Sequence, residues 1–190
     1  KSPRAQEIVR ELVKGADIVV ENFRAGLLDE WGLGWKALSE INPKLVMVRI
    51  SGYGQTGPYK DRPGFAAIAE SMGGLRYLAG YPDRPPVRVG VSIGDTLAAL
   101  YCVIGALLAM HHVKVNEGKG QFIDLSIYEP IFALLGYQPT LYDQLGVVQN
   151  RTGNRSVNNA PRNAYRTREG RWVALSASAL SIAVAIAVPA

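Results

Sequence analysis

The chain has 190 residues, 48% hydrophobic and 19% charged, which is enough for one domain or one and a half with a real core and too apolar for a disordered chain. Its single cysteine, Cys102, excludes an intrachain disulfide framework, fits a reducing compartment, and sits in an apolar run where burial is the expected role. The formal charge of +5 is local: residues 151–171 hold six arginines against one acid, Glu169, a pattern that suits either an anionic ligand or a solvated basic loop.

The opening Lys1-Ser2-Pro3-Arg4 is followed by no apolar segment of the signal-peptide kind. Pro3–Lys14 reads as a helix, with Ser2 as N-cap, Pro3 at the first helical position, an apolar stripe of Ile8, Val9, Leu12 and Val13, and Gly15 as the stop. Asp17–Glu21 and Lys44–Ile50 are short apolar runs of the buried-strand kind, separated by helical pieces at Leu27–Trp31 and Trp35–Ile41. Helix, strand, helices and strand in that order predict an α/β fold with a parallel sheet. In such a fold a strand ordinarily precedes the first helix, so an earlier segment is expected ahead of Lys1.

Ser51–Gly64 is a loop rich in Gly and Pro, followed by a helix over Phe65–Met72 and a turn-rich connector at Tyr81–Pro86. Val87–Gly94 alternates like a strand. Asp95–Val115 predicts the longest helix, apolar around much of its circumference and therefore buried; its apolar run Leu97–Met110 is shorter than the roughly 18 to 20 residues of a membrane span. Gln121–Ile127 alternates as a strand. Tyr128–Leu145 is helical, with Pro130 and Pro139 expected to break or kink it. Tyr165–Thr167 and Trp172–Ser176 flank Glu169-Gly170 as a hairpin, and Ser181–Ala190 has no polar face. The expected division is a large domain over 1–150 and the start of a smaller one over 151–190.

Asp95 is the most informative residue. It follows Ser92-Ile93-Gly94 at the start of the long helix, where free N–H groups and the positive end of the helix dipole converge. Two roles suit that position: an N-cap, or an ionised carboxylate held for nucleophilic attack, with Gly94 leaving room for a substrate. Asn22-Phe23-Arg24 closes the first strand, where ligands gather in open parallel sheets; an arginine there can pair with phosphate, an asparagine with a base edge, and a phenylalanine can pack on a ring.

Gly52–Gly57 has the G-x-G-x-x-G spacing, but Pro58–Pro63 does not open a helix, so a connector fits better than a dinucleotide fingerprint, and no Lys-Ser/Thr completes a P-loop. His111 and His112 are adjacent and point apart on a helix, which argues against a metal site and against a Ser-His-Asp triad. The arginine cluster lacks the interleaved aromatics of an RNA platform, so no nucleic-acid partner is expected.

Together, ADIVVENFRAG (16–26), LVMVRISGYGQTGP (45–58), SIGDTLAAL (92–100), GKGQFIDLSIYE (118–129) and PRNAYRTREGRWVALS (161–176) resemble the class III coenzyme-A transferases, of the CaiB/BaiF type. The resemblance implies a Rossmann-like larger domain with covering helices and part of a smaller one, the central part of an interlocked homodimer in the cytoplasm. It implies that acyl-CoA and a small carboxylic acid are substrates, with no permanently bound cofactor, no metal and no membrane partner. Asp95 would attack the acyl-CoA thioester to give an anhydride, then a β-aspartyl-CoA thioester, and the acceptor carboxylate would reverse the sequence.

By the same resemblance Lys1 contacts nucleotide phosphates, and Asn22 and Phe23 line the CoA site, with Arg24 beside them. An arginine used by formyl-CoA transferases falls at Glu30. A glycine-rich loop over the intermediate falls at Gly153–Asn159, where Gly153-Asn154 begins a segment poorer in glycine, and the cluster Arg151–Arg171 becomes a surface near CoA or a carboxylate substrate. Two alternatives stand beside this reading. One is a non-catalytic remnant that binds CoA. The other is an α-methylacyl-CoA racemase, whose proton-moving histidine would fall at Phe65, a residue that moves no proton.

Overall fold

The computed structural model describes residues 2–177 and divides into two compact units, 1–75 with 89–139, and 76–88 with the chain from 140 onward. The expectations for Lys1 and for Ser181–Ala190 lie outside the described residues.

The first unit opens with α1 (Pro3–Val13), for which the Ser2 hydroxyl accepts the Ala5 N–H at 3.3 Å and Pro3 occupies the first turn, where no intrahelical bond is lost. There follow β1 (Ile18–Glu21), the short helices α2 (Leu27–Glu30) and α3 (Trp35–Ile41), and β2 (Val46–Ser51). Next come α4 (Ala66–Met72), α6 (Ile93–Val115), β3 (Phe122–Ser126) and α7 (Tyr128–Leu134); α5 (Leu75–Leu78) and α8 (Gln138–Leu145) lie where the chain passes between units. The three strands form a parallel sheet in the order β1-β2-β3, with Val20 opposite Val48 and Ser51 opposite Ser126.

Strand alternation sorts the central strand onto two cores. Val46 and Val48 of β2 join Leu125 of β3 and Ala98, Cys102, Ala109 and Val113 of α6; Met47 joins Leu45, Val13, Leu28, Leu33 and Leu38 on the other face. Val46, Met47 and Val48 are at most 1% exposed, and burial of each contributes about 1.5–3 kcal/mol. Helices cover both faces, as a parallel sheet requires; β2 and β3 end level at Ser51 and Ser126, and β1 ends at Glu21 opposite Arg49.

Three expectations are corrected. The segment Val87–Gly94 is not a strand: apart from the Val87 N–H, which reaches Ala79 O, it contributes no ladder to either sheet. Helix α6 is not buried all round. Its inner stripe of Ala98, Cys102 and Ala109 packs on the sheet, while Leu100, Tyr101, Val103, Ile104, Leu107 and Leu108 on the other side are exposed. At 23 residues the whole helix is also long and apolar enough, by length and composition, to cross a membrane, although its inner stripe packs as the covering helix of an α/β layer. The third correction concerns Tyr128–Leu145, which divides at Gly136 (φ +60°) and not at its prolines. Pro130 and Pro139 instead fall in the first turns of α7 and α8, where a missing N–H breaks nothing.

In the second unit β4 (Arg162–Arg166) and β5 (Trp172–Ser176) pair antiparallel, Arg166 opposite Trp172, around a turn in which Gly170 takes φ +82°. The expected hairpin is therefore present.

Candidate active site

The ends of the three strands open onto a cavity of about 790 Å³ within the first unit. Its wall includes Asn22, Phe23 and Arg24 after β1, Ser51 and Gly52 at the end of β2, the segment Lys60–Ala67, and Asp95. This is the position at which ligands bind open parallel α/β sheets.

Asp95 is the third residue of α6, inside its first turn; Ser92 occupies the N-cap position. The N-cap alternative for Asp95 is therefore not what the helix uses. Its side chain is exposed on the cavity wall and has no hydrogen-bond or ion-pair partner among the described residues. Gly94 is buried, and a Cβ there would come within 3.3 Å of the Ala66 Cβ, so its missing side chain lets α4 approach closely. Cys102, one face of the same helix, is buried in the core with its thiol pKa pushed up by desolvation, which keeps it protonated and a poor nucleophile.

The Asn22–Ala25 turn is held from three directions. The Glu21 carboxylate accepts the Phe23 N–H at 2.7 Å, Arg24 forms an ion pair with Glu30 at 2.6 Å, and Gln55 Oε1 accepts the Gly26 N–H at 3.2 Å. Phe23 rests edge-on against Trp31 at 5.6 Å. Glu30 thus pairs with Arg24. Gln55 is fixed in turn by Asp124, whose carboxylate accepts its backbone N–H at 2.9 and 3.0 Å.

Below this turn, buried Arg49 donates from Nε to Glu21 at 2.5 Å and from Nη1 to Asp29 at 2.6 Å, leaving Nη2 without a hydrogen-bond partner among the described residues. Burial lowers its pKa, but the bonds to Glu21 and Asp29 outweigh that and raise it, so the guanidinium stays charged. A charged residue inside the otherwise apolar run Leu45–Ile50 was the sequence signal for this cluster, which the sequence reading passed over.

The Gly52–Gly57 loop opens no helix, as its sequence indicates. Its neck is closed backbone to backbone: a Cβ on Gly52 would stand 2.6 Å from the Gly64 Cα. Above the neck Tyr53 meets Tyr59 at 5.6 Å, and the Arg62 guanidinium lies 4.1 Å from the Tyr59 ring centroid. Lys60, Arg62 and Phe65 of this loop line the cavity. Sequence reasoning assigned no role to either cation, because a basic residue in a polar loop carries no pattern that distinguishes a binding group from a solvated one.

Gly153 and Asn154 belong to the second unit. Gly153 takes φ +61° against the Tyr81 ring, its N–H bonds Gly80 O at 2.8 Å, and Asn154 Nδ2 donates to the Tyr81 hydroxyl at 3.0 Å. The start of this loop is therefore anchored. Arg151 is taken out of the expected ligand surface: it donates to Tyr81 O and Tyr77 O and lies over the Tyr77 ring.

The strand ends, the Asn22–Ala25 turn and the Asp95 carboxylate at the start of α6 thus border one cavity, at the edge where open parallel α/β sheets bind ligands. The model of CoA-transferase family III matches residues 1–187, and the chain belongs to that family. It is 48% identical over 182 residues to succinyl-CoA–D-citramalate CoA-transferase of Chloroflexus aurantiacus, covering 96% of this chain and 45% of that protein. It is 36% identical to succinate–glutarate CoA-transferase of Agrobacterium fabrum, covering 90% of this chain and 42% of that one. Among solved structures, a CaiB/BaiF family protein from Brucella suis superposes with a TM-score of 0.82 at 37% identity, over 90% of this chain and 45% of its own. The chain thus spans about half the length of the relatives it matches.

Proposed function

We propose that the chain carries the nucleophile and part of the CoA site of a transferase that moves CoA from succinyl-CoA to a carboxylic acid. The observation that carries this reading is Asp95, a carboxylate with no partner among the described residues, in the same cavity as the Asn22-Phe23-Arg24 turn. Relatives whose names specify succinyl-CoA with citramalate or malate, and succinate with glutarate, support a dicarboxylic donor and acceptor.

In this mechanism an Asp95 oxygen attacks the thioester carbonyl, the C–S bond breaks, and CoA thiolate leaves an acyl-aspartyl anhydride. Thiolate returns to the aspartyl carbonyl and expels the first carboxylate, giving an aspartyl-CoA thioester. The acceptor carboxylate then displaces thiolate to form a second anhydride. Attack of thiolate on the acceptor acyl carbon releases the new acyl-CoA and restores Asp95. A carboxylate suits these steps because both partners of the exchange are carboxylic acids at the same oxidation level. Asn22, Phe23 and Arg24 would hold the CoA, and Phe65 stands where a racemase would need a proton-moving group.

The test uses the protein at the full length its gene encodes, given succinyl-CoA and a panel of carboxylic acids, with new thioesters followed by mass spectrometry. Transfer by the parent and none by Asp95→Asn is the expected result. Turnover that survives Asp95→Asn removes the mechanism, and CoA binding with no turnover by either protein favours the non-catalytic reading. The proposal extends to a homodimer, supported by the exposed apolar side of α6; a monomer in sedimentation equilibrium would remove that part.

A further inference from the structure

The cavity contains three cations, and two of them are neutralised. Arg24 is paired with Glu30 at 2.6 Å and Lys60 with Asp61 at 2.9 Å. Arg62 has no carboxylate partner among the described residues; its guanidinium is held only by the face of Tyr59, at 4.1 Å from the centroid. A guanidinium stacked on a ring keeps its edge, where the N–H donors lie, free for a planar anion. Tyr59 is itself set by its contact with Tyr53, just past the Gly52–Gly64 neck, so the arginine stands on a braced platform.

The loop also connects this platform to the nucleophile. Arg62 is followed by Pro63, Gly64 and Phe65, which is extended at φ −123° and ψ 169°, and then by Ala66, the residue against which Gly94 packs immediately before Asp95. One end of the segment therefore borders the reacting carboxylate, and the other presents an unpaired cation to the same cavity. An acyl group whose thioester carbon sat at Asp95 would extend into that shared cavity.

We propose that Arg62 is a specificity-determining residue that recognises the distal carboxylate of a dicarboxylic acyl group. This rests on the CoA-transfer reading above. A carboxylate matches the two parallel donors of a guanidinium edge, and a methyl group in its place would leave the cation unsatisfied. The phosphates of CoA offer the same anionic chemistry from another part of the substrate, and binding measurements separate the two.

The experiment takes the full-length protein and three unreactive ligands: CoA, S-(3-carboxypropyl)-CoA and S-butyl-CoA, the last two differing in a terminal carboxylate. Dissociation constants are measured by calorimetry for the parent, Arg62→Met and Arg62→Lys. Arg62→Met, which keeps an apolar stem over Tyr59, is expected to weaken the carboxypropyl ligand by roughly 10- to 100-fold. It should leave CoA and S-butyl-CoA within about threefold of the parent, with Arg62→Lys intermediate because it keeps the charge and loses the fork. Equal weakening of all three ligands would overturn the proposal in favour of a phosphate contact. No change in any would overturn it by removing Arg62 from the bound state. Neither result depends on turnover, so failure here is distinct from failure of the Asp95 mechanism.

Discussion

Arg49 lies 3% exposed on β2 with its Nε on Glu21 and its Nη1 on Asp29, whereas Arg62, in the loop after that strand, faces the cavity with no carboxylate partner among the described residues. The carboxylates divide in the same way. Glu21 is occupied by Arg49 and by the Phe23 N–H, while Asp95, in the first turn of α6, has no partner among the described residues. Identical chemical groups thus do opposite work. A buried charge must be compensated within the protein or it costs several kcal/mol. A charge on a cavity wall is held by water until a ligand replaces it, so it can be left unpaired and available.

The strongest way to break this comparison is at Asp95. In Asp95→Asn the nucleophile is lost with little change in shape, and turnover of succinyl-CoA is expected to fall by at least about a thousandfold while the unfolding midpoint in urea stays near that of the parent. A large loss of stability would instead make Asp95 a structural residue. The converse test is Glu21→Ala, which leaves Arg49 buried with a single, half-exposed partner. It should lower unfolding free energy by about 3 kcal/mol in urea titrations, and replacing both Glu21 and Arg49 by Met should recover most of that.

Gly52→Ala probes the loop neck that carries the Arg62 platform. Its Cβ would fall 2.6 Å from the Gly64 backbone, so the neck must widen, at a cost of about 1–3 kcal/mol in stability with weaker binding of acyl-CoA analogues by calorimetry. The smallest effect is expected at Asp29→Asn. Its side chain is 52% exposed, and solvent screening limits the change to about 1 kcal/mol or less in the same urea titration, in contrast to Glu21 on the other side of the same guanidinium.

Much of the fold was legible in the chain. The apolar runs at Asp17–Glu21 and Lys44–Ile50, the alternation at Gln121–Ile127 and the Ser2-Pro3 start all lie where the corresponding elements form. The site was legible in part: the Asn22–Arg24 turn and Asp95 reach one cavity. Less was readable for Val87–Gly94, whose alternation finds no neighbouring strand, and for α6, where apolar composition could not say which side meets the sheet.

The sequence by itself determined the parallel α/β class, through short apolar strands spaced by helical segments, and it determined the family, through motifs that fill nearly the whole chain. Local periodicity and turn chemistry act over a few residues, so they can be read along the chain. Only the tertiary structure decided which charges are consumed and which remain free. Arg49 and Arg62 are separated by thirteen positions and look alike in the sequence. The sheet register sets Arg49 beside Glu21, with Asp29 folded over it, while the Gly52–Gly64 neck turns Arg62 toward Asp95's cavity. Pairing of charge depends on distances across the fold, and those are set by packing rather than by order along the chain.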